Sequence, residues 1–159
     1  MKILKMNLRF ACIVTIAFSS SYTIACSCMY GGIFQIYSSS QPVVVRGTIL
    51  SYGAKLRSND RYFDTMNIEI TAIIKGNIQY NRVELQGDTG MSCFKYISSN
   101  AYPIGSEHLF SLSSSEQHQP LWGCGESSIR INGSIAEGID GNRGGFYKID
   151  LNELIRLVR

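Results

Sequence analysis

Polar and apolar residues alternate most regularly over residues 65–74. Met66, Ile68, Ile70, Ala72 and Ile74 fall on one face; Asn67, Glu69 and Thr71 fall on the other. Period-two alternation of this length predicts a half-buried strand, ended by Lys75-Gly76-Asn77. Residues 43–50 form another β-rich run, interrupted by Gly47. Arg82–Gln86 is a third strand, with Val83 and Leu85 inward and a Gly87-Asp88 turn behind it. Glu107–Leu112 and residues 127–132 supply the fourth and fifth. The polar residues 52–62 read as a long hairpin loop, and residues 138–145 as a turn. The period then changes: Leu151, Leu154, Ile155 and Val158 follow helical spacing, and Asp150 with Glu153 fits a capping box. The predicted fold class is all-β, a five-stranded OB-fold-like antiparallel barrel with a short C-terminal helix. A β-sandwich is the alternative.

The first residues follow another pattern. Lys2, Lys5 and Arg9 precede an apolar run over residues 10–18, and Thr23-Ile24-Ala25 closes the segment. Basic, apolar and small-residue regions in that order predict a secretory signal peptide over residues 1–25. The apolar run is shorter than the roughly 20 residues a spanning helix needs. The expected product is a secreted, extracellular chain of one domain, residues 26–159. Thr23-Ile24-Ala25-Cys26 is also similar to a lipobox, which makes a periplasmic or lipid-anchored form through Cys26 the alternative.

Removing the leader changes the charge. The chain has 15 Lys and Arg against 12 Asp and Glu. The leader takes three basic residues and no acid, so the remainder balances at 12 against 12. No basic stripe remains for nucleic acid, and no later stretch is apolar enough to span a membrane.

Five cysteines are present. Cys12 leaves with the leader, so Cys26, Cys28, Cys93 and Cys124 remain. An even set in a secreted chain reads as two disulfides, with three pairings open. A Cys26–Cys28 bridge would close a strained ring, which leaves each of the two stapled to a distant partner. A zinc site of four thiols is disfavoured, because structural sites use closely spaced pairs and Cys93 and Cys124 stand 31 residues apart.

Little else carries chemistry. His108 lies in a predicted strand and His118 in a polar loop, residues 113–120. No nucleophile motif, zinc-protease motif or phosphate loop occurs, so the chain reads as no enzyme and as having no cofactor of its own. Asp140-Gly141-Asn142 reads as a turn rather than a calcium loop. Trp122 is expected to pack on a disulfide, and Asn132-Gly133-Ser134 fits the glycosylation pattern. The exception is the residue at the predicted new terminus. The α-amino group of Cys26 has an ordinary pKa near 7.7–8.0. With its own carbonyl oxygen it forms a bidentate clamp for a zinc ion that keeps one open position.

At these residues the chain resembles the tissue inhibitors of metalloproteinases and the wider netrin-like domain family. The likeness rests on Cys26-Ser27-Cys28 after the cleavage site, on Val43-Val44-Val45-Arg46-Gly47, on Ile73-Ile74-Lys75-Gly76, and on Glu107-His108-Leu109-Phe110 before the last cysteine. Cys93 follows Cys26 by 67 residues, and Cys124 follows Cys28 by 96. The resemblance implies Cys26–Cys93 and Cys28–Cys124 bridges. It implies that the Cys26 amine and carbonyl chelate the zinc of a secreted or surface metalloprotease. Ser27 would enter the specificity pocket, Cys28, Met29 and Tyr30 would continue along the cleft, and the loop over residues 52–63 would add contacts. The chain departs from the family in lacking the cysteines of its third bridge and its cysteine-rich second subdomain. Many netrin-like domains bind partners and inhibit nothing, so a binding module is the alternative function.

Overall fold

The computed structural model describes residues 30–56, 59–90, 92–140 and 143–159. The predicted leader, Cys26, Ser27, Cys28 and Met29 lie outside the described residues. The described chain is mostly strand: α1 (Phe34–Ser39), β1 (Val43–Tyr52), β2 (Lys55–Leu56), β3 (Asn59–Phe63), β4 (Thr65–Lys75), β5 (Arg82–Gln86), β6 (Ile97–Ser98), β7 (Glu107–Leu112), β8 (His118–Pro120), β9 (Ser128–Asn132), β10 (Ile135–Asp140), β11 (Gly145–Asp150) and α2 (Leu151–Val158). All five expected strands and the expected helix are present. An eight-stranded sheet runs β11-β10-β9-β7-β1-β4-β5-β8, and a small one runs β2-β3-β6.

The barrel expectation is corrected. The large sheet is open: β11 and β8 are its edges, and no pairing joins them among the described residues. It is also mixed, because β8 runs parallel to β5. A turn and a loop drawn too wide account for the difference. The turn expected over residues 138–145 is narrower: Gly138 lies in β10 and Gly145 starts β11, whose pairing extends the sheet beyond β9. The loop at residues 113–120 ends in β8, so His118 lies on an edge strand and bonds Glu84 at 3.1 Å. The loop at residues 52–62 likewise carries the β2–β3 hairpin of the small sheet.

Two cores lie on opposite faces of the large sheet. Val45, Ile49, Met66, Ile68, Val83, Leu85 and Phe110 form the first, closed over by Ile97 of β6 and by Ile78, Tyr102 and Leu121 from connecting segments. Val44, Leu109, Ile129, Ile131 and Ala136 form the second, covered by Phe34 of α1 and by Leu151, Leu154 and Val158 of α2. The side chains of β1 and β7 therefore go both ways into apolar surroundings, which is why residues 43–45 and 109–110 read as unbroken apolar runs. Each fully buried Phe or Leu contributes about 1.5–3 kcal/mol.

Two local details follow the sequence closely. Gly76 ends β4 with φ of 76°, and a Cβ there would collide with the Pro42 carbonyl oxygen. The Asp150 carboxylate accepts the Asn152 and Glu153 amides at 2.9 and 3.1 Å, capping α2.

Candidate functional site: the N-terminal arm and the cleft beside it

Of the arm residues expected to enter the protease cleft, Cys26 to Tyr30, only Tyr30 is described. Residues 31–34 are laced to the segment after Cys124. The Gly31 amide donates to the Cys124 carbonyl, and the Glu126 amide donates to the Gly32 carbonyl at 3.1 Å. The Phe34 amide then donates to the Glu126 carboxylate at 3.0 Å. Cys93 lies alongside, its carbonyl accepting the Gly123 amide at 2.8 Å. Phe94 and Trp122 form a bridge there and meet edge to face at 5.1 Å. Trp122 therefore packs on an aromatic ring. Cys93 and Cys124, the described cysteine of each expected bridge, both lie at the corner where the arm enters.

Glu126 anchors this corner. It is buried, and its carboxylate accepts the Ile139 amide at 2.7 Å, the Phe34 amide, and the Tyr147 hydroxyl. A buried carboxylate needs such donors to offset lost hydration. Burial first, then the bond to Glu126, pushes the Tyr147 phenol up. Gly138 makes the arrangement fit: a Cβ there would stand 2.5 Å from Glu126 and 2.6 Å from Tyr147.

Beside the arm opens a cleft of about 520 Å³. Tyr30 lies on it, its hydroxyl 3.4 Å from the Ile139 carbonyl. The large sheet supplies one row of side chains, because pairing aligns His108, Arg130, Glu137 and Lys148 across β7, β9, β10 and β11. The next row holds Ile139 and Phe146, which are 54% and 87% exposed. Tyr102, Lys95 and Ser128 complete the part that matters chemically. Tyr102 is buried and bonds Ser128 at 2.9 Å. Burial pushes its phenol up to about 12, against the bond to Ser128. His108 packs on Tyr102 and Phe110, with Nε2 3.1 Å from the Ser106 hydroxyl. Burial, reinforced by Arg130 and Lys95, brings the imidazole down to about 4, so it is neutral at physiological pH. Burial also brings the Lys95 ammonium down to about 8, partly offset by the Glu126 charge.

A second cleft of about 500 Å³ involves Lys55, Arg61, Tyr62 and Phe63 of the β2–β3 hairpin. It shares Asn100 with the first. The loop expected to add protease contacts therefore borders the region beside the arm. Among the described residues no group of three or more His, Cys, Asp and Glu could hold a metal. No helix there is long and apolar enough to cross a membrane.

Comparison with protein-family models and with curated protein sequences finds no match.

The sequence reading missed the roles of Lys95, Tyr102, Glu126, Arg130 and Tyr147. Glu126 alone left a trace, as an acid two residues after Cys124 in a segment otherwise lacking charge. The others meet only through sheet pairing.

Proposed function

We propose that the chain is a secreted inhibitor of zinc metalloproteases, a minimal netrin-like member of the inhibitor family. Residues 1–25 are its leader. Cys26 is its active end, with the amine and carbonyl as ligands for the protease zinc. Cys26–Cys93 and Cys28–Cys124 are its bridges. Ser27, Cys28, Met29 and Tyr30 lie along the protease cleft. The observation that carries this reading is the lacing of residues 31–34 to Cys124, Glu126 and their neighbours. Anchoring residues 31–34 in this way limits the freedom that the residues before them lose on entering a cleft, which lowers the cost of binding.

The chelation step gives a direct test. Zinc ligation uses the nitrogen lone pair of Cys26, so the amine must be unmodified and unprotonated. One added Ala before Cys26 turns the amine into an amide and puts bulk near the metal. A panel of secreted zinc proteases is assayed with the native and Ala-extended proteins, after intact mass has fixed the terminus and the disulfide count. Inhibition by the native form and a loss of 100-fold or more on extension is expected. Equal potency of the two sinks the mechanism.

The exposed cross-strand pair Ile139 and Phe146 favours a second reading, a secreted netrin-like binding module without inhibitory activity. No inhibition by either form across the panel supports it.

A further inference from the structure

The cleft beside the arm has its own chemistry, and zinc chelation by Cys26 uses none of it. Its volume lies in the range of small-molecule sites, which combine apolar walls with a few placed polar groups. Its carboxylates are already committed. Glu126 is held by three donors, and Glu137 bonds Lys148 at 2.7 Å. Its cations are not. Among the described residues the side chains of Lys95 and Arg130 make no hydrogen bond or ion pair. Glu126 acts on Lys95 only through space.

Arg130 stands between His108 and Glu137 in the row across the sheet, yet Glu137 is drawn away to Lys148. His108 is neutral and supplies no charge. An unengaged guanidinium and a partly desolvated ammonium suit a carboxylate, which the guanidinium can grip with two parallel bonds. The neighbouring surface is apolar. Tyr102 lies inside, and Ile139 and Phe146 stand exposed at the edge. Phe146, 87% exposed, buries little of its ring in the fold.

We propose that this cleft binds a carboxylate carried on an aromatic or apolar body. The acid lies between Lys95 and Arg130, and the body lies against Tyr102, Ile139 and Phe146. Such a group reaches the cleft as a free small acid or as the C-terminal residue of a peptide.

Titration calorimetry on the disulfide-intact protein tests this with four probes: phenylacetate, phenylacetamide, N-acetyl-Gly-Phe and its amide. At least one acid should bind with Kd below 1 mM and at least tenfold more tightly than its amide. Arg130→Gln and Lys95→Met should each weaken that acid at least tenfold. Phe146→Ala should weaken both acid and amide. Tighter binding of phenylacetate points to a free acid, and tighter binding of N-acetyl-Gly-Phe to a chain end. Lys95→Met should leave the melting temperature unchanged or raised, since a desolvated ammonium is removed. Arg130 is exposed, so its variant remains informative whatever Lys95 does to folding. Failure of both acids to bind at 10 mM, equal affinity for acid and amide, or unaltered binding to Arg130→Gln overturns the proposal.

Discussion

One face of the large sheet is treated in two ways. Over β1, β4, β5 and β7 it carries Val45, Ile68, Val83 and Phe110, all buried under connecting segments. Over β9, β10 and β11 the same face carries Arg130, Glu137, Ile139 and Phe146, and no described segment covers them as it does the core. Both parts are built of antiparallel strands, and what sets them apart is what crosses the face. Where Ile97, Tyr102 and Leu121 lie over it, the side chains beneath are apolar or, like Ser128 and His108, buried with a hydrogen-bond partner. Where that cover stops, charge appears together with the exposed pair Ile139 and Phe146. The closed part of the face holds the fold, and the open part is free to bind.

The sharpest test of that contrast compares two phenylalanines. Phe110 is fully buried and Phe146 is 87% exposed. Phe110→Ala should cost about 3–5 kcal/mol in urea unfolding, through lost transfer energy and the cavity left behind. Phe146→Ala should change stability by no more than about 0.5 kcal/mol. A cost above about 1 kcal/mol for Phe146 would show that the open face is covered in solution.

His108 sits where the two parts meet, and it makes the border titratable. Its ordinary value of 6.5 falls to about 4 in the fold. The unfolded chain therefore takes up a proton below about 6.5 that the folded chain refuses down to about 4. Stability is lost as pH falls through that window and the loss levels off below it. From pH 7 to 4.5 this one group should remove roughly 2–3 kcal/mol. Carboxylates add their own acid sensitivity, so the measurement is a difference. His108→Leu should shrink the gap between urea stabilities at pH 7 and pH 4.5 by about that amount. An unchanged gap would mean that the imidazole reaches water and belongs to the open part.

The closed part was legible in the sequence and the open part was not. Met66 and Ile68, with Val83 and Leu85, follow period two because one side of β4 and β5 is core. The helix announced itself through Leu151, Leu154 and Val158 and its cap. Gly138 and Gly145 read as turn residues, although Gly138 is demanded inside β10 by Glu126 and Tyr147. That misreading hid β10 and β11, and with them the open sheet edge. The cleft could not be read at all. Lys95, Tyr102, Arg130 and Phe146 share no local spacing, and only the register of β7, β9, β10 and β11 brings the sheet residues together. The expected protease-facing residues are a third case. The reading of Cys26, Ser27, Cys28 and Met29 rests on sequence alone, because they lie outside the described residues.

The smallest expected effect concerns the opposite face of the sheet, which α2 covers. Asp150 ends β11 and starts α2 in one step: its backbone pairs with Ile135 while its carboxylate accepts the Asn152 and Glu153 amides. Eight residues are too few to be helical alone, so α2 depends on this cap and on burial of Leu151, Leu154 and Val158. Asp150→Ala should therefore cost about 1 kcal/mol, with faster hydrogen exchange at Asn152 and Glu153. Asp150→Asn keeps an accepting oxygen and loses only the charge at the helix start, so it should cost about half as much or less. The two faces of the sheet are then separable: Asp150→Ala should leave acid binding in the cleft unaltered, because α2 packs on the other side. If Asp150→Ala weakened binding as strongly as Arg130→Gln does, the helix-covered face and the cleft would be one cooperative unit, and the division of the sheet into a closed and an open part would fail.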